Sequence, residues 1–296
     1  MPEMKPEIKP KTKLRLGWTT DIHLNFVSLA AWEKFIDQIC AAELDALLLT
    51  GDVSESEDVT WQLRRLVDAI DLPIYFVLGN HDYYHGSIAQ TRNQITQLCE
   101  QEPRLRYMTS SDASDPVRLG DSWVLCGDDG WADGRIGDYF RSPVRMNDFR
   151  LIDDLRQLDS RARLRKLRRL GTESAMRLYH QLNRASQIGE KLLVLTHVPP
   201  FRESCWYEGG QTNDDWAPFF VCGAVGWALK RFCLRHPLHQ VQVLCGHTHH
   251  EGSAEMMENL RVWTGGAEYG VPQLSNVFDL EKFNSPTPDW TYRACQ

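Results

Sequence analysis

The sequence predicts an α/β protein with largely parallel strands, and three observations carry that expectation. Strand-length apolar runs alternate with amphipathic helical stretches over the first two-thirds of the chain. Two strand–helix–strand units follow one another directly, which requires crossover connections and therefore parallel pairing. The composition, 42% hydrophobic and 25% charged over 296 residues, is that of a folded domain with a substantial core.

The elements follow in order. Residues 14–19 form a strand leading into Asp21. Leu29, Trp32, Phe35, Ile36 and Ile39 then fall on one helical stripe. Residues 46–49 form the next strand, which runs into Thr50-Gly51-Asp52. A second stripe, Val59, Leu63, Leu66, Val67 and Ile70, follows, with Ser56 as its expected cap. Pro73 ends that helix, and strand 74–78 runs into Gly79-Asn80-His81-Asp82. The stretch 146–190 reads as charged helix. Strand 191–195 ends in Thr196-His197, strand 241–245 in Gly246-His247-Thr248-His249, and 261–264 and 276–280 are late strands. With no repeat and no linker, residues 14–296 read as one domain carrying insertions near 146–190 and 199–230. Residues 1–13, lysines between prolines, read as a mobile tail.

Several function classes are excluded. The net charge of −7 gives no general attraction to nucleic acid or anionic membrane. No apolar run approaches the roughly 20 residues a membrane helix needs. The amino-terminal residues lack the apolar centre of a secretory signal. The eight cysteines form no CxxC pair, so reduced thiols and a cytoplasmic location are expected. Ten tryptophans are many for this length, and some are expected at a site or interface.

Each strand end carries polar, metal-capable residues, and in open α/β sheets ligands bind at that edge. Singly these pieces say little, since an isolated buried histidine is ordinarily a hydrogen-bonded core residue. Together, in order and at five strand ends, they form the pattern D-x-H, G-D, G-N-H-D, H, G-H-x-H. In this the chain resembles the calcineurin-like metallophosphoesterases, over residues 21 to 249. The resemblance implies a four-layer α/β/β/α sandwich of two mixed sheets with two metal ions at one edge. It assigns Asp21, His23, Asp52 and His249 to one ion, and Asp52, Asn80, His197 and His247 to the other. Mixed carboxylate, amide and imidazole donors suit Mn²⁺, with Fe or Zn²⁺ as alternatives, rather than Mg²⁺ or Ca²⁺. The implied reaction is hydrolysis of a phosphomonoester or phosphodiester by in-line attack of a bridging hydroxide.

By the same resemblance His81 is no ligand but stabilises the phosphoryl group and protonates the leaving alkoxide. A carboxylate is expected to hold its tautomer, and Asp82 and Glu55 are the two candidates. Glu55 stands three residues after Asp52, where phosphoprotein phosphatases carry a histidine-supporting aspartate and purple acid phosphatases a tyrosine ligand. Those departures place the chain nearer the bacterial-type branch, which includes cyclic-nucleotide phosphodiesterases and lipid A precursor hydrolases.

Three neighbouring segments are candidates for substrate contact. Tyr83 directly follows the metal motif, where packing under the loop is the alternative. Trp131 and Arg135 lie in a glycine-rich loop after strand 123–126, with Arg135 a phosphate partner or a structural residue. Arg202 opens the aromatic segment 199–227, read as a partial cap or as a surface subdomain with its own small core. The basic run 161–169 fits a helix with one buried stripe, and a solvated face is favoured over a nucleic-acid contact. The expected substrate is therefore a small or medium phosphorylated molecule. A nuclease is the alternative, and a non-catalytic module on the same fold is disfavoured because no ligand is missing.

Overall fold

The computed structural model describes residues 14–109 and 116–283; the tail expected over 1–13 lies outside them, as does Cys295. The chain opens with β1 (Arg15–Thr19), α1 (Leu29–Ala41), β2 (Ala46–Thr50), α2 (Val59–Ile70), β3 (Ile74–Val77), α3 (Ile88–Gln101) and β4 (Leu105–Tyr107). β5 (Val117–Leu119), β6 (Trp123–Gly127), short helices α4 (Asp148–Leu151) and α5 (Asp153–Arg156), the long α6 (Ser160–Ala185) and β7 (Lys191–Leu195) follow. A two-stranded hairpin of β8 (Trp206–Tyr207) and β9 (Gly210–Gln211) precedes α7 (Ala217–Phe220) and α8 (Gly223–Arg235). The last strands are β10 (Gln240–Cys245), β11 (Gly252–Met257), β12 (Leu260–Thr264) and β13 (Asn276–Asp279).

One sheet has the order β13-β1-β2-β3-β4 and the other β11-β12-β10-β7-β6-β5. Within each, the central strands are parallel, and β13, β11 and β5 pair antiparallel at the edges. Twofold alternation sorts the side chains into layers. Leu47 and Leu49 of β2 join Trp32, Phe35 and Leu63 of α1 and α2 in one core. Ala46 and Leu48 of the same strand join Leu125, Leu193 and Leu244 of the facing sheet in a second. Val194, Val243 and Val262 then pack outward on Leu178 and Leu229 of α6 and α8 in a third. The result is a four-layer α/β/β/α sandwich, with the carboxyl ends of the parallel strands gathered at one edge.

Local expectations differ in four places. Leu29 is largely exposed. Ser56 does not cap α2; its hydroxyl pairs with that of Thr91, and Asp58 precedes the helix. The stretch 146–190 is three helices rather than one, because extended backbone at Ile152 and Asp159 interrupts it. The tryptophans serve chiefly as core: Trp18, Trp32, Trp123, Trp131 and Trp263 are all buried. No helix among the described residues is long and apolar enough to cross a membrane.

The sheets are stapled beneath the edge by Asp129, just past β6. Its carboxylate accepts from the Leu78 amide (2.8 Å) and from the hydroxyls of Thr109 (2.8 Å), Tyr83 (2.7 Å) and Tyr107 (2.7 Å). Arg92 adds an ion pair at 2.8 Å. Burial alone would raise this carboxyl's pKa, but Arg92 and the hydrogen bonds outweigh it and hold it below the usual range. Asp129→Asn is expected to cost about 3–5 kcal/mol in urea unfolding at pH 7, since it leaves Arg92 without its partner. A depressed native pKa stabilises above the unfolded-state value. The difference from wild type should therefore be full above about pH 4 and shrink only below it.

Candidate metal centre

Five strand ends deliver the polar residues, and the backbone there is strained. Among the described residues nine non-glycine residues have positive φ, and five of them are Asp21 (50°), His23 (39°), Asp52 (53°), His247 (74°) and His249 (59°). Each such conformation costs about 1–2 kcal/mol for an L-residue, so surrounding contacts must hold it. The Asp21 and His23 amides donate to the carbonyls of Gly51 and Asp52, both at 3.0 Å. The Asp52 carboxylate accepts the His81 amide at 2.8 Å. A side chain at Gly79 would overlap Asp52 and the His197 ring, and one at Gly246 would overlap Asp21. Glycine at these two positions lets strands of different sheets approach closely.

The donor atoms converge in two groups. Asp21, His23, Asp52 and His249 each place one ligand atom within 4.8 Å of the others. His23 Nε2 lies 3.1 Å from His249 Nε2, and His249 Nε2 lies 3.4 Å from Asp21 Oδ1. In the other group, His197 Nε2 lies 3.2 Å from Asn80 Oδ1 and 3.1 Å from His247 Nδ1. Asp52 touches both: Oδ2 is 3.8 Å from His23 and Oδ1 is 3.5 Å from His197.

Proton bookkeeping tests whether this set suits a cation. A carbonyl only accepts, so His197 Nδ1–H donates to Thr50 (2.8 Å) and His247 Nε2–H donates to Phe219 (2.9 Å). Burial pushes both pKa values down, His247 to about 3, so neither ring carries a second proton at neutral pH. The remaining nitrogens are thus bare lone pairs facing each other at 3.1 Å, which repel unless a cation lies between them. The carboxylates show the same demand. Despite burial, the contact with His249 holds Asp21 well below the usual range, whereas burial together with Asp21 and Asp82 pushes Asp52 up. A cation bound between them would let Asp52 ionise beside Asp21. The residues fit metal ions.

Supporting contacts fix these side chains. Asp148, at the start of α4, accepts from the Asn80 amide nitrogen (2.9 Å) and the Tyr84 hydroxyl (2.8 Å). That turns the Asn80 oxygen toward His197. Asp21 accepts the His247 amide (3.0 Å) and the Thr20 hydroxyl (2.5 Å). Asp148 was hidden in a segment read as charged helix, and its burial was the missing signal.

His81 stands at the open side, half-buried, stacked on Tyr84 (centroids 4.2 Å apart) and edge-on to His23 (4.7 Å). Burial, then His23, lowers its pKa to about 2. Neither expected carboxylate holds its ring. Asp82 accepts three backbone amides, those of Val53, Ser54 and Gly79, and so ties the β2 and β3 loops together. Glu55 faces His85 at 3.8 Å.

The substrate candidates also lie differently. Tyr83 is fully buried, its hydroxyl spent on Asp129, because the packing alternative prevails there. Trp131 is buried against Tyr83 and closes a small cavity beside Asn80, Asp148, His197 and His247. Arg135 pairs with Asp133 at 2.7 Å and reaches the Arg168 carbonyl and Thr172 on α6, a structural role. Arg202 is paired with Asp214. Segment 205–221 has its own small core, in which Cys205, Phe219 and Phe220 pack with Ile136, Tyr139 and Phe149. It touches the centre through the Phe219 carbonyl.

Comparisons with known proteins agree with this geometry at the level of fold. The phosphopantetheinyl hydrolase PptH of Mycobacterium tuberculosis superposes with a TM-score of 0.62 at 12% identity, covering 87% of this chain and 90% of that one. The protein TT1561 of Thermus thermophilus gives 0.50 at 15% identity over 86% and 90%. A dimetal phosphatase of Danio rerio gives 0.50 at 13% over 86% and 87%. No curated protein gives a significant sequence match. The family model described as calcineurin-like phosphoesterase matches residues 14–251. Every strand end that delivers a ligand falls inside that span, and the chain belongs to this family of phosphoric ester hydrolases.

Proposed function

We propose that the chain is a dinuclear enzyme that hydrolyses a phosphomonoester or phosphodiester of small or medium size. The observation that carries this reading is Asp52, whose two oxygens reach separate donor groups, one with two bare imidazole nitrogens face to face. Asp21, His23, Asp52 and His249 would hold one ion, and Asp52, Asn80, His197 and His247 the other, with Mn²⁺ the first choice and Fe or Zn²⁺ alternatives. When bound, such a pair lowers the pKa of water to give a nucleophile at neutral pH and neutralises phosphoryl charge.

The protein's own part is positional. The Thr50 and Phe219 carbonyls keep each imidazole in the tautomer that exposes the correct nitrogen. Asp148 keeps the Asn80 oxygen inward. His81, next to both the first group and the open side, is placed to protonate the departing oxygen once a phosphate anion beside it favours the imidazolium.

The direct test is hydrolysis of bis-p-nitrophenyl phosphate and p-nitrophenyl phosphate after Mn²⁺ reconstitution. We expect metal-dependent turnover of at least one, with near two Mn²⁺ per chain by elemental analysis. Asp52→Asn should lose both turnover and stoichiometry; an Asp52→Asn chain as active as wild type would reject the reading. Asp148→Ala frees the Asn80 amide and should weaken metal affinity or activity by about 10–100-fold, as losses of ligand-orienting partners do. His81→Asn should keep its metal and lose about 10²–10⁴ in kcat on an alkyl ester. It should lose far less on a p-nitrophenyl ester, whose leaving group needs no proton.

A further inference from the structure

β12 runs parallel to β10, so the loop beyond it opens at the same edge as His247 and His249. That loop carries Tyr269, whose ring centroid lies 4.4 Å from His23, 4.9 Å from His249 and 6.3 Å from His81. Phe26, in the short turn Leu24–Phe26 that follows His23, meets Tyr269 at 5.3 Å with the rings nearly perpendicular, 83°. Both side chains are about half open to solvent, Tyr269 49% and Phe26 54%. Aromatic area is ordinarily among the first to be buried, yet here two half-exposed rings border the donor groups.

Perpendicular rings form a corner. A planar ring entering it can lie offset on one face and meet the edge of the other, the two arrangements aromatic pairs prefer. A puckered saturated ring of equal size can rest on such a face only through its C–H groups, without the offset-stacked or edge-to-face gain of a second π-system. Resting on the phosphoesterase reading above, we propose that Tyr269 and Phe26 form a platform that selects esters with a planar aromatic leaving group. His81 borders the same ring, so the platform and the proton donor address the same half of the substrate.

The test uses the full Mn²⁺-reconstituted chain and two ligands of equal charge and reach that differ in flatness: benzylphosphonate and cyclohexylmethylphosphonate. Calorimetric titration should show the benzyl compound binding about three- to tenfold more tightly, the range of an aromatic pair beyond area alone. Tyr269→Leu and Phe26→Leu should each remove most of that preference, and Tyr269→Phe should keep it. Both side chains are half-exposed, so unchanged melting temperatures are expected to show that the variants fold. Equal or absent binding by the wild-type chain, or a preference that survives the double Leu variant, overturns the platform. Turnover of benzyl and cyclohexylmethyl phosphates, read against Asp52→Asn, separates the two ideas. A benzyl preference in binding without turnover of these monoesters or of bis-p-nitrophenyl phosphate removes the hydrolase reading and leaves the platform, whereas turnover without any preference removes the platform alone.

Discussion

Two imidazole lone pairs facing each other at 3.1 Å in a buried site are the constraint on which the rest of the structure depends. Left bare, they and the neighbouring carboxylates repel, and burial magnifies the repulsion because the effective dielectric is low there. Folding must therefore press the groups together and hold them against their own electrostatics. The fold does so with rigid parts. Strands from two sheets end at one edge, backbone amides grip Asp21, Asp52 and Asp82, and Asp129 ties the sheets together one layer below. Left-handed backbone at five of the donor residues shows that convergence outweighs local conformational preference.

How much of this was legible in the sequence depended on the range of the interaction. Strands and helices follow from short-range periodicity, and β1 through β3 lie where the apolar runs and the stripes of Trp32 and Leu63 put them. The seven metal-capable residues were legible because each sits within a few positions of an apolar run. Asp148 and Tyr269 were not, because nothing beside them in the chain points to the site; Asp148 gains its role only when α4 folds back on Asn80. Asp82 and Tyr83 misled for the complementary reason. Adjacency to His81 in sequence suggested adjacency of side chains, yet the turn His81–Tyr83 sends the two following groups inward to loop amides and to Asp129.

The same contrast separates the two sides of the centre. The side built by β3, β7 and β10 is closed: Trp131 packs under it and His247 is tied to α7. The side built by β1 and the end of β10 is open, bordered by His81, Phe26 and Tyr269. On the proposed reading a substrate would meet the first donor group before the second and rest its bulk against aromatic rings rather than against Arg135 and Arg202, whose charges are already paired.

The link from the cap to His247 is made by a main-chain carbonyl, that of Phe219. Every amino acid supplies that oxygen, so the imidazole's proton is held by the path of the cap, while the Phe220 ring, edge-on at 5.1 Å, is the side chain that this contact constrains. Drift elsewhere in 205–221 can then reshape the wall of the site without disturbing His247. In evolutionary terms, a module anchored this way is free to acquire new specificities while the catalytic core beneath it stays unchanged.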